Sequence, residues 1–143
     1  MGTYVQQLSV KQRIAGYVRN FWSNTARTYG GFADKIYYLP DHQEFSDILE
    51  QNPVFENPHL GEGFDCDDYS FVLKGSFSLY AKRAELKASI CLGIAWGFFD
   101  WRQDFHSCNW ILLEDFSFYW VEPINKSLHR INECSGGLRL MLV

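Results

Sequence analysis

Phe64-Asp65-Cys66-Asp67-Asp68-Tyr69-Ser70-Phe71-Val72-Leu73 sets a lone cysteine at the head of a helical pattern. Downstream, Tyr69, Val72, Leu73, Phe77 and Tyr80 recur at helical spacing, so a helix from about Cys66 to Arg83 keeps one face apolar and belongs in the middle of the fold. A helix N-terminus offers unpaired N–H groups and the positive end of the backbone dipole, which favours a sulfur there as the thiolate. Beyond this helix the pattern changes to strands: Ser89 to Trp96, His106 to Leu113, Phe118 to Val121 and Leu138 to Val143. Gly97 to Asp104 and Asp115-Phe116-Ser117 connect successive strands, and the short second connection predicts an antiparallel hairpin. That hairpin brings His106 toward Glu122, in Trp120-Val121-Glu122-Pro123. A thiol nucleophile, its base and an orienting carboxylate are the expected roles of Cys66, His106 and Glu122.

Before the cysteine, Val10, Ile14, Tyr17, Val18, Phe21 and Trp22 predict an amphipathic helix with Ser9 as N-cap and Gly30-Gly31 as its stop. Ile36 to Leu39 is a short extended piece before Pro40. Asp41 caps a second helix through Phe45, Ile48 and Leu49 that ends near Asn52-Pro53. Asn57-Pro58 and Gly61-Glu62-Gly63 form a loop leading to Cys66. The expected fold class is α+β, helices first and an antiparallel sheet second, in a single domain over residues 1–143.

Composition bounds the function. Five Trp, eight Tyr and twelve Phe predict a core and cleft walls rich in rings. A net charge of −4 with scattered Lys and Arg gives no basic face, so nucleic acid is not the expected partner. No apolar run approaches the roughly 20 residues that span a bilayer, and Met1 to Gln7 has neither a basic n-region nor an h-region. Gln6 stands where an N-myristoylation motif wants Ser or Thr. A protein without a membrane partner is expected. Cys91, Cys108 and Cys134 sit among apolar residues as small buried hydrophobes, and free thiols point to a cytoplasmic location.

Gly63 to Phe71, His106 and Trp120 to Pro123 together resemble the papain-like and transglutaminase-like cysteine peptidase superfamily. They are most similar to the C-terminal cysteine-protease domain of the mushroom agglutinin family, over roughly Pro40 to Lys126. The resemblance implies a papain-like fold with a central Cys-bearing helix packed on the sheet. It also implies a thiol-dependent amide hydrolase, a cysteine peptidase with a Cys66-His106-Glu122 triad acting on a peptide or protein substrate. In that mechanism Cys66 attacks a carbonyl, His106 carries the proton, Glu122 holds the ring, and the Cys66 N–H with one loop donor forms the oxyanion site. Gln51 lies too far upstream to be that donor.

Asp65, Asp67 and Asp68 surround Cys66 with negative charge, which disfavours a thiolate. They are either good first-turn residues of a helix or, with other loops, carboxylates for a divalent cation such as Ca²⁺ near Asp67 and Asp68. The agglutinin proteases resemble the second case in being calcium-activated. Three alternatives to a peptidase stay open: a noncatalytic binding or interaction module using the aromatic loop Trp96 to Trp101, a transglutaminase-like acyl transferase, and a metal site of His106, Cys108 and an Asp of the cluster. Trp110 shares a strand face with His106 and is placed to wall the cleft. His42, His59 and His129 have no partner nameable from sequence.

Overall fold

The computed structural model describes residues 1–19, 29–52 and 63–142. The chain runs β1 (Thr3–Gln6), α1 (Gln7–Val18), β2 (Tyr29–Gly31), β3 (Ile36–Leu39), α2 (His42–Glu50), α3 (Cys66–Arg83), β4 (Ser89–Ile90), β5 (Leu92–Phe99), β6 (His106–Leu112), β7 (Phe118–Val121), β8 (Leu128–Arg130) and β9 (Cys134–Leu142). A six-stranded sheet has the order β2-β9-β5-β6-β7-β8, and a smaller one the order β1-β3-β4. All neighbours in the large sheet are antiparallel except β2 with β9. The architecture is α+β.

Both faces of the large sheet are covered. On one, α2 and α3 bring Phe45, Ile48, Leu49, Tyr69, Leu73, Phe77 and Ala81 onto Leu92, Ile111, Leu113 and Val121. On the other, Val10, Ile14 and Val18 of α1 meet Ala95, Cys108, Trp110, Leu112, Phe118 and Trp120. Every residue of β6 is therefore buried, which explains why this antiparallel strand lacks the half-polar alternation of a sheet with a wet face. Its inward polar residues, Ser107 and Asn109, need partners inside the fold.

Local chemistry sets the helix starts. Asp41 accepts from Glu44 N at 2.8 Å and starts α2. Asp65 and Asp68 form a reciprocal capping box at the start of α3. At α1 the expectation fails: the helix starts at Gln7 after an uncapped Gln6, and Ser9 lies inside it. There β1 runs directly into the helix, and pairing with β3 rather than a hydroxyl cap fixes the start. Gly31 belongs to β2, and Gly97 to Phe99, expected in a connection, complete β5. Phe21, Trp22 and most of the loop before Gly63, with His59, lie outside the described residues.

Candidate functional site

Three elements converge at the open end of β6. The capping box places Cys66 at the first position of α3, half-buried. His106 opens β6 opposite Gly97 of β5. Glu122 directly follows β7. The pairing of Asn109 with Val121, continued one step, sets Glu122 against Cys108 and diagonal to His106 on the same sheet face. A tight turn holds it there, with Glu122 N donating to Ser127 O at 2.9 Å and Lys126 at φ 64°.

His106 Nε2 and Glu122 Oε2 lie 2.7 Å apart, and both side chains are only 3% exposed. The Cys66 thiol neighbours the same ring and favours its charged form, and both line one cleft. Since Nε2 faces the carboxylate, Nδ1 is the nitrogen left for sulfur. The structure thus assembles Cys66, His106 and Glu122 in one line. Glu122 also accepts from Trp101 Nε1 at 3.1 Å and from Ile124 N at 3.2 Å. Burial alone drives Glu122 toward its neutral form, but the His106 contact, with Trp101 and Ile124, more than offsets this and lowers its pKa below 4.5. Burial likewise disfavours a charged His106, yet hydrogen bonds with Cys66 and Glu122 outweigh it and raise the ring above 6.5. An imidazolium beside a carboxylate is the favoured state of the couple at mildly acid pH.

Beneath this line runs a polar network not foreseen from sequence. Ser107 Oγ donates to Ser70 Oγ at 3.0 Å, and Ser70 Oγ donates to the Cys66 carbonyl at 2.9 Å. Asn109 Nδ2 bridges the Ser70 and Gly93 carbonyls at 3.0 and 3.1 Å. These bonds tie the first turn of α3 to the strand bearing His106, fixing the sulfur relative to the ring. The available signal was two polar residues, Ser107 and Asn109, in an otherwise apolar strand.

The acidic cluster divides its labour. Asp65 N donates to Asp68 Oδ2 at 3.1 Å, and Asp67 N donates to Asp65 Oδ1 at 3.3 Å. The Asp67 carboxyl is pushed up, first by a hydrogen bond with Asp65 and then by burial. One ligand atom each from Asp65, Cys66 and Asp67 lies within 4.8 Å of the others. This donor set includes a sulfur and falls short of the ~6 to 8 oxygens that a Ca²⁺ site gathers. Asp65→Ala should cost about 0.5–2 kcal/mol through loss of the cap, measurable as a lower urea midpoint at unchanged slope.

An open cleft of about 490 Å³ exposes the line, bounded by Asp65, Cys66, Trp101, Arg102, Phe105 and His106. Trp101, not Trp110, forms the wall. Trp110 is fully buried and stacked on Phe118 at 5.7 Å, because its position in mid-strand faces the α1 layer. Trp101 is held between Phe99, at 4.8 Å, and His129, at 3.7 Å with planes 8° apart. His129 has partners after all, with Nδ1 2.6 Å from Glu133 Oε2 and Nε2 2.8 Å from Ser127 Oγ. His42 lies 3.2 Å from Asp115. The His106-Cys108 metal site does not form, since Cys108 is fully buried in the α1 layer and its thiol is pushed far up by burial. Gln51 caps the end of α2 instead of lining the cleft.

No family model and no curated protein matches the chain. Solved structures do. A structure described as "PSL1a-E64 complex" superposes with a TM-score of 0.79 at 19% identity over 98% of this chain. The lectin of Polyporus squamosus, bound to the human-type influenza-binding epitope Neu5Acα2-6Galβ1-4GlcNAc, superposes with a TM-score of 0.78 at 18% identity over 98% of this chain. The chain spans about half the length of each, 51% and 49%. At such identities the likeness is one of fold.

These matches correct the expected assignment. One of these neighbours is the lectin of Polyporus squamosus, and no family model matches the chain, so membership of the papain-like peptidase superfamily does not stand. With it go the amide hydrolase and cysteine protease activities and the acyl-transferase variant that the resemblance implied. Among the described residues, no helix is long and apolar enough to cross a membrane.

Proposed function

We propose that this chain is a noncatalytic binding module whose ligand sits in the cleft at Cys66. One observation carries the reading: an accessible sulfur meets a buried, carboxylate-held imidazole at the floor of an open, aromatic-walled cleft. Pockets with a few convergent polar groups between apolar walls are the usual form of a ligand site. Both neighbouring structures are ligand complexes, one with E64 and one with a sialylated trisaccharide, which supports binding as the use of this fold. In this reading the Cys66 sulfur attacks a ligand carbon that bears a leaving group, the new S–C bond forming as the carbon–leaving-group bond breaks and its electron pair departs with that group. His106 takes up the thiol proton, and Glu122 keeps the ring turned toward sulfur. Capture is stoichiometric. Cys91, Cys108 and Cys134 are buried and unpaired, which suits a reducing compartment such as the cytoplasm.

Iodoacetamide tests the site, because alkylation forms an S–C bond, expels iodide and sends the thiol proton to the base. Near neutral pH, Cys66 should be alkylated at least ~10-fold faster than the three buried cysteines, as read by peptide mass mapping. Replacing His106 with Phe should remove most of that advantage. Uniform labelling of all four would remove the thiol from the site. Sustained multiple-turnover cleavage of an amide or ester, lost in Cys66→Ala, would overturn the noncatalytic reading.

A further inference from the structure

Beside the cleft stand two pairs of rings, one of which shares Phe105 with the cleft lining. Phe98 and Phe105 meet at 5.4 Å with planes 63° apart, and Phe71 and Trp96 at 6.1 Å. Phe71 is 50%, Phe98 41% and Phe105 39% exposed. Trp96 and Phe98 alternate onto one face of β5, and Phe105 precedes His106 and also lines the cleft. Phe105 belongs both to the ring pair with Phe98 and to the cleft lining, so the shelf borders the cleft there.

The shelf is built rather than incidental. Gly137 of β9 has φ 64°, a left-handed conformation natural to glycine, and a Cβ there would lie 2.6 Å from the Phe98 ring. The bare backbone lets the Phe98 ring approach β9 closely, at a point where the β5–β9 register shifts. A ring that is half in water yet fixed from below gives up little freedom when something packs on its outer face.

We propose that Phe98 and Phe105, backed by Phe71 and Trp96, form the selecting subsite of the cleft, taking a flat aromatic group attached close to the ligand carbon that meets Cys66. This rests on the cleft reading above and names the ligand class it selects: compounds pairing an electrophilic carbon with a neighbouring aromatic ring. Offset or edge-on packing against Phe98 and Phe105 supplies the preference.

The test compares N-benzyl iodoacetamide with iodoacetamide at Cys66 by mass mapping, each rate normalised to that of free cysteine with the same reagent. In the wild type the benzyl reagent should be favoured about tenfold, the value of burying much of one ring. Phe98→Ala and, separately, Phe71→Ala, neither of which lines the cleft itself, should bring the preference back to that of free cysteine while iodoacetamide stays fast. Should the wild type alkylate rapidly with iodoacetamide but show no benzyl preference, or keep that preference in both variants, the subsite is overturned and the cleft reading stands. Slow iodoacetamide labelling of Cys66 would overturn both.

Discussion

Replacing Glu122 with Ala is expected to lower the unfolding free energy by about 3–5 kcal/mol, because it leaves the buried His106 ring and the Trp101 indole N–H without their acceptor. The loss follows from what is left behind, not from the intrinsic strength of the pair. A double replacement, His106→Leu with Glu122→Leu, should therefore cost much less than the sum of its singles. Additive losses in chemical denaturation would show that the two side chains are independent.

The same couple fixes a pH window. Glu122 has a folded pKa below its ordinary 4.5, so its contribution is present above 4.5 and drains away as pH falls through the lower folded value. His106 has a folded pKa above 6.5, so its contribution is full below 6.5 and is lost as pH rises through the higher folded value. The combined benefit peaks between these two ordinary values. In Glu122→Gln the ring loses its charged partner, and the alkaline limb of the stability profile should flatten.

Much of the fold is readable because its signals are local. The bounds of α3 follow from the Asp65/Asp68 box and the apolar spacing behind Cys66, and β7 follows from four ring-rich and β-branched residues between turns. Asp41 before an apolar repeat marks α2 in the same way. What escapes is held by distant pairing. Thr3 to Gln6 is a strand only because Ile36 to Leu39 lies beside it, and Tyr29 to Gly31 only because β9 does.

The site divides along the same line. His106 and Glu122 can be paired from sequence because a short connection, residues 113–117, forces β6 and β7 into a hairpin. Trp101, Ser70 and His129 join the site through contacts across the sheet or between loops, and no spacing rule announces them. Function was less legible than geometry. The wording around Cys66 resembles a protease, whereas the whole-chain likeness to solved structures is one of fold alone, and a fold carries sites of many kinds.

Trp110 offers the other large effect, with a sign that separates packing from hydrogen bonding. Its ring is fully buried and stacked on Phe118, with planes 14° apart, in the layer shared by Cys108, Leu112 and Trp120. Trp110→Ala should cost about 3–5 kcal/mol, the penalty for emptying such a volume where backbone on both sides prevents collapse. Yet its indole N–H is buried without a hydrogen-bond partner among the described residues. Trp110→Phe sheds that unpaired donor, recovering about 1–3 kcal/mol of desolvation cost against the smaller void it leaves. Trp110→Phe should therefore fall within about 1.5 kcal/mol of wild type in urea unfolding, close to a volume-conserving swap. If the phenylalanine variant proves as unstable as the alanine one, the indole N–H has a partner in solution, and ring volume is not what the α1 layer requires at this position.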